Sequence, residues 1–216
     1  MTWEAGYVPF PYWPPGYNFG AMCSGGAVLS RYPITVNCVT LHPKPETNAW
    51  WYNAFYLFRY SQQVEIQWGE QVVWVINNHL EAYDQANRVQ QANALGKMLP
   101  KFTDVAKAEV VIAGGDMNTI PPEAAMQYGY PDRPHADHRG DTTMNVLRNI
   151  PGFKEVVKVE DYLEHESAFF TAPAHAPNRR LDYLFVSENT RITDVRIIPT
   201  GDLSDHLPVL AELVWP

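Results

Sequence analysis

Ser204-Asp205-His206 sets a carboxylate beside an imidazole just before an alternating apolar run, Leu207, Val209 and Leu213. A polar triplet opening a half-buried strand is how a sheet presents reactive groups at its rim. Alone, an Asp-His pair in a loop is more often surface than site. Three further polar positions share its topology. His79 follows the run Val72–Ile76, Asp116 and Asn118 follow Val110–Ala113, and Asp182 lies inside Leu181–Val186, where a charge is costly unless paired. If neighbouring strands align these ends, imidazoles, carboxylates and an amide converge on one cleft. Such a set suits metal-assisted phosphoryl hydrolysis: oxygen ligands hold Mg²⁺ or Mn²⁺, a positioned water attacks phosphorus, and imidazoles handle protons or phosphate charge. Singly, His79 reads as well as a core histidine, Asp116-Met117-Asn118 as a turn, and Asp182 as a partner of Arg179 or Arg180. Their shared placement at strand ends argues against chance.

The elements that must position these residues are mostly strands. Apolar patterning predicts strands over 27–32, 34–41, 55–68, 71–77, 110–113, 181–186, 192–198 and 207–214, with Gly69-Glu70 turning a hairpin. Asp84 is the expected N-cap of a helix to about Leu99, with Ala86, Val89, Ala92, Leu95 and Leu99 at helical spacing. Asp141 caps a short helix through Leu147, and Pro121-Pro122-Glu123 suggests a proline-led helical turn. Residues 127–140 and most of 153–180 read as irregular, with a short strand expected at Ala168-Phe169-Phe170. The expected fold is α/β of the α+β type: two packed mixed β-sheets flanked by helices in a four-layer sandwich. A Rossmann unit is disfavoured, since Gly114-Gly115 lacks GxGxxG and no long helix follows it.

The chain has 216 residues, enough for a single domain over 1–216 with a real core. Residues 1–24 are expected to be an irregular lead-in, aromatic and proline-rich over 7–17. No apolar run approaches a membrane span, and the N-terminus lacks a signal-peptide pattern, so the compartment stays open with cytoplasm as the default. A formal charge of −8 argues mildly against tight binding to duplex nucleic acid, though a local basic groove would suffice for it. Cys23 and Cys38 read as free, half-buried thiols rather than a bridge, and the chain is expected to be a monomer.

Ala27-Val28-Leu29-Ser30-Arg31-Tyr32-Pro33-Ile34, Asn78-His79-Leu80-Glu81, Gly115-Asp116-Met117-Asn118, Arg180-Leu181-Asp182-Tyr183-Leu184-Phe185 and Ser204-Asp205-His206-Leu207-Pro208-Val209 stand in an order that resembles the endonuclease/exonuclease/phosphatase superfamily. The resemblance runs from about residue 25 to the C-terminus. Its members include abasic-site endonucleases, pancreatic-type deoxyribonucleases, neutral sphingomyelinases and inositol-polyphosphate phosphatases. It implies a divalent-metal-dependent phosphoesterase using Mg²⁺ or Mn²⁺. His206 would be the catalytic imidazole, as base or as phosphate-stabilising acid, and Asp182 would orient it. Asp116 would position or deprotonate the attacking water, Asn118 would hold a phosphoryl oxygen, and His79 would bind the scissile phosphate. Asp205, Asp116 and Asn118 would be the metal ligands. Tyr83 and Arg88 match more loosely, and Arg88 reads equally as a salt-bridge partner.

The family pattern begins with a strand bearing an Asn, a helix and a strand ending in Gln-Glu, none of which precedes Ala27; Glu4 is a poor substitute. The reading is therefore of a domain lacking its N-terminal part, with a weakened metal cradle and weak or no activity. The phosphodiester could belong to nucleic acid, lipid or a small molecule. The alternative is a catalytically impaired fragment or pseudo-enzyme acting as a binding module. A zinc site from His135, Asp137 and His138 is a further option with poor ligand spacing and no nearby cysteine.

Overall fold

A computed structural model describes residues 2–9, 23–44, 58–104, 106 and 108–214. Its centre is a six-stranded mixed sheet. The sheet takes β3 (Ile34–Leu41), β4 (Tyr60–Trp68), β5 (Gln71–His79), β6 (Val110–Asp116), β10 (Asp182–Ser187) and β9 (Phe153–Glu155), in that spatial order. Pairing is antiparallel except between β5 and β6, which run parallel. The β5–β6 crossover carries helix α1 (Gln85–Met98) and the short α2 (Pro100–Asp104).

One face of the sheet presents Trp74, Ile76, Val111, Ala113, Tyr183 and Phe185 to Ala92, Leu95 and Leu99 at α1, and to Met144 and Leu147 of α3 (Thr143–Arg148). Burial of this apolar surface is the main force that holds the helices to the sheet. The Asp84 side chain accepts from Asn87 N at 3.0 Å, capping α1 as its sequence predicts. The first turns of α1 are held by polar groups instead: Arg88 reaches Asp141, and Gln91 accepts from Glu81 N. That ties the helix start to the loop leaving β5.

The opposite face packs Ile112, Leu184 and Val186 against Ile192, Val195, Ala211 and Leu213 of a hairpin, β11 (Arg191–Ile197) and β12 (Val209–Val214). A second antiparallel pair, β1 (Thr2–Pro9) and β2 (Cys23–Ser30), reaches the sheet where Gly26 meets Asn77 and Tyr60. A mixed sheet flanked by helices is thus the observed architecture. Among the described residues the layer opposite the helices consists of these separate ladders rather than one continuous sheet.

Several local expectations give way. The lead-in is not irregular throughout, because residues 2–9 form a full ladder with β2; residues 10–22, most of the aromatic stretch, lie outside the described residues. Within 127–140, β7 (Tyr128–Tyr130) and β8 (Arg133–Asp137) form a small hairpin, with Arg139 lying over Tyr128 and bonding Asp137. Residues 153–180 hold β9, paired to β10, and helix α4 (Val159–Glu164). Ala168 and Phe169 lie in a 3₁₀ turn, Glu166–Phe169, not a strand, and Pro122-Glu123 is a plain turn. The N-cap of α3 is Thr142, although the Asp141 carboxylate still accepts from Thr143 N at 2.9 Å. Cys38 is free but exposed on edge strand β3, so it is not the half-buried thiol expected.

Candidate active site

Strand register places the polar strand ends side by side. His79, last in β5, is the parallel partner of Asp116, last in β6; Asp116 in turn faces Asp182, first in β10. The close approach needs glycine: at Gly115, with φ of 129°, a Cβ would run into the Asn78 carbonyl. At Gly114 a Cβ would meet Leu184 and the Tyr183 carbonyl. The chain then turns at Asn118, which holds a left-handed φ of 49°.

His206 is brought in from the far side of the sequence. Leu207, 9% exposed, donates its N–H to Thr171 O at 2.7 Å, and Ala174 N donates to Asp205 O at 2.7 Å, so both flanks of the histidine are pinned. Its Nδ1 lies 2.7 Å from Asp182 Oδ2. Donor atoms of Asp116, Asp182 and His206 all fall within 4.8 Å of one another. Asp116 Oδ1 accepts from Asn118 N at 2.8 Å, and its Oδ2 stands 3.5 Å from His79 Nε2. The Asn118 amide donates to Leu80 O at 3.0 Å, which leaves its own oxygen uncommitted.

Burial and environment tune these groups apart. Burial first, then the charge of Asp182, pushes the Asp116 carboxyl up to about 6. Burial, aided by the Arg59 cation, brings His79 down to about 4, so it is neutral near pH 7. The bond from Asp182 raises His206 above its ordinary value. A carboxylate poised near neutral pH beside a histidine that favours its protonated form is a general acid–base arrangement.

The structure therefore assembles His79, Asp116, Asn118, Asp182 and His206. Asp205 is not in that cluster: it is exposed, and its influence on the site is a charge that raises His206. Arg88 is fully buried against Asp141 at 2.8 Å and serves packing, while Tyr83 is 79% exposed beside the site. Asp182 pairs with neither neighbouring arginine; Arg179 holds Asp132 and Arg180 holds Glu155. His135, Asp137 and His138 form no ligand group among the described residues, since Asp137 is bound to Arg139 and His138 packs edge-on to Tyr130.

One neighbour escaped the sequence reading. Arg59 lines a cavity of about 210 Å³ with His79, Asn78 and Asp116, its Nε 4.0 Å from Glu81 and without a hydrogen bond. It stands just before β4, far from any of the motifs. Only its cationic type ahead of a buried strand could have flagged it.

Residues 3–206 match the Endonuclease/Exonuclease/phosphatase family. The chain belongs to that family. Among solved structures, an endonuclease/exonuclease/phosphatase from Bacteroides vulgatus is similar at 13% identity and TM-score 0.64, covering 99% of this chain and 77% of that one. The human Nocturnin catalytic domain with bound sulfate is similar at 14% identity and TM-score 0.62, over 99% and 73% of the two chains. D. rerio TDP2 complexed with a single-strand DNA product is similar at 16% identity and TM-score 0.61, over 98% and 77%. These likenesses show the shared fold. No curated protein matches the sequence. Membership in the endonuclease/exonuclease/phosphatase family supports phosphoester hydrolysis of the phosphatase or nuclease kind in general. Among the described residues, no helix is long and apolar enough to cross a membrane.

Proposed function

We propose that this endonuclease/exonuclease/phosphatase family member hydrolyses a phosphoester by in-line attack of an activated water, with Mg²⁺ or Mn²⁺ as its cofactor. The observation that carries the reading is the His206–Asp182 bond set against Asp116 across paired strand ends. Asp116 takes a proton from the attacking water. His206, held through Nδ1, offers Nε2–H to a phosphoryl oxygen as negative charge builds there. His79, neutral, donates to the same phosphate from the other side, and Arg59 adds a positive charge from the neighbouring cavity. Asp182 acts on His206, not on substrate.

The donor set fits a hard cation. Its atoms are carboxylate and amide oxygens, and the Asp116 carboxyl, pushed up first by burial and then by the charge of Asp182, is a place where a cation would favour the ionised form. Asp116 and Asn118 would hold the ion, while Asp205, exposed and outside the cluster, adds only its charge. Asp182 has one oxygen committed to His206 and contributes potential instead. A bound ion would supply Lewis-acid stabilisation of the phosphoryl oxygens.

The net charge of −8 favours a single-stranded, lipid or small phosphoester over duplex nucleic acid. D. rerio TDP2 with its single-strand DNA product and a similar Bacteroides thetaiotaomicron mannosyl-6-phosphatase span that range. The test is a panel of abasic and single-stranded DNA, sphingomyelin, phosphoinositides, nucleotides and sugar phosphates with Mg²⁺ and Mn²⁺. Metal-dependent release of product from at least one supports the reading; binding without turnover across the panel would favour a binding module.

A further inference from the structure

We infer that the substrate carries a second anionic group, seated by Arg133 and His135 in the cavity that opens beside Asn118. This rests on the phosphoryl group lying at the Asp116–Asn118 cluster, and it deepens that reading by naming what the substrate bears away from the scissile bond. The cavity measures about 550 Å³ and runs from Asn118 past Tyr83 to strand β8. That volume suits a group of nucleotide size.

The charges around it are unevenly matched. Arg88 is committed to Asp141, Arg179 to Asp132, and Arg139 to the one carboxylate of the wall, Asp137. The Arg133 side chain has neither an ion-pair nor a hydrogen-bond partner among the described residues, and it is exposed. In a chain of net charge −8, a wall with a surplus cation next to a phosphoryl site is an electrostatic seat for an anion. Alternation along β8 sets Arg133, His135 and Asp137 on one face; with Asp137 neutralised by Arg139, a guanidinium fork and an imidazole can serve the same group. The β7–β8 hairpin that carries them is fixed by pairing of Tyr128 with Asp137 and of Tyr130 with Arg133, and by the Gln85 side chain donating to Asp137 O at 2.6 Å. Across the cavity, the exposed ring of Tyr83 offers a flat surface to whatever links the two anions.

The second anion could be a further phosphate of a nucleic-acid strand or one on a small metabolite. Equilibrium binding separates these without requiring turnover. Isothermal titration would compare thymidine 5′-phosphate, thymidine 3′,5′-bisphosphate and fructose 1,6-bisphosphate on the wild type, Arg133→Ala and Arg133→Lys. The wild type should bind a bisphosphate about 5-fold more tightly than the monophosphate, the scale of an exposed charge pair. Arg133→Ala should erase that preference without changing monophosphate affinity, and Arg133→Lys should keep part of it. Preference for both bisphosphates means that the second phosphate alone is read. Preference for the thymidine compound only, reduced in Tyr83→Ala, assigns a nucleotide. No bisphosphate preference in the wild type, or one that survives in Arg133→Ala, overturns the inference. Failure of the hydrolysis panel would leave these affinities unaffected, so the two readings fail separately.

Discussion

His206 is bonded through Nδ1 to Asp182 Oδ2 at 2.7 Å, although one lies in the loop before β12, the other opens β10, and they stand 24 positions apart. The bond fixes the ring orientation and leaves Nε2 as the working atom. Asp182 is itself fixed at the head of β10 by its ladder to Asp116 and by Thr171 Oγ1, which accepts from its N–H at 3.3 Å. A backbone ladder thereby sets the geometry of a side-chain pair.

Asp182→Asn should lower kcat by about 10²- to 10⁴-fold with little change in KM, because the amide cannot stabilise the imidazolium and favours the wrong tautomer. Histidine NMR titration should show the His206 pKa falling back toward its ordinary value, since the Asp182 bond is the leading cause of its rise. An unchanged pKa would dissociate the pair from the chemistry.

Asp116→Asn should abolish turnover and yet raise the melting temperature at pH 7 in chelating buffer. The carboxyl has a folded pKa of about 6 against 3.8 in the free residue. Its ionised form is therefore disfavoured by folding: stability is full below the lower value and declines as pH rises through the upper one. A neutral amide avoids this penalty. A melting temperature equal to or below that of the wild type would contradict it.

Much of this site was legible because its residues sit at strand ends, where burial patterning and polarity change abruptly. His79, Asp116, Asp182 and His206 each follow or open an apolar run, so pattern alone grouped them. Asp205 was harder: adjacency in sequence to His206 says nothing about where a loop carboxylate points, and it is exposed. Arg59 was missed because nothing in its local sequence separates a cation facing the site from one facing solvent. The β7–β8 hairpin was missed for a related reason. Its strands are short, polar and largely exposed, without the alternation that marks a buried strand.

Gly115→Ala should disrupt the site at its frame. The substitution meets an unfavourable φ of 129° and a backbone carbonyl, that of Asn78, which cannot move without breaking the β5–β6 ladder. Loss of at least about 2 kcal/mol in urea unfolding is expected, and a variant as stable as the wild type would refute the close approach.

Stability should also fall as the solution is acidified. Burial holds His42 and His138 down to about 4, so each is neutral in the folded chain; His79, its side chain half exposed, adds little. The unfolded chain protonates them near pH 6.5; their stabilisation is complete above that value and lost as pH falls toward 4. His42, 7% exposed and bonded to Ser61 at 3.0 Å, contributes about 3 kcal/mol of this swing. Asp116 and His206, both raised in the folded chain, oppose it with the reverse sign. Urea midpoints at pH 7.5, 5.5 and 4.5 should decrease in order, less steeply in His42→Asn; a flat series would contradict the assignment.

The most direct measurement is hydrolysis of bis-p-nitrophenyl phosphate by the purified chain at millimolar Mn²⁺ or Mg²⁺, beside His206→Ala and an EDTA control. p-Nitrophenol release should need the cation and disappear in His206→Ala. Release that persists in EDTA, or at the wild-type rate without His206, would contradict it.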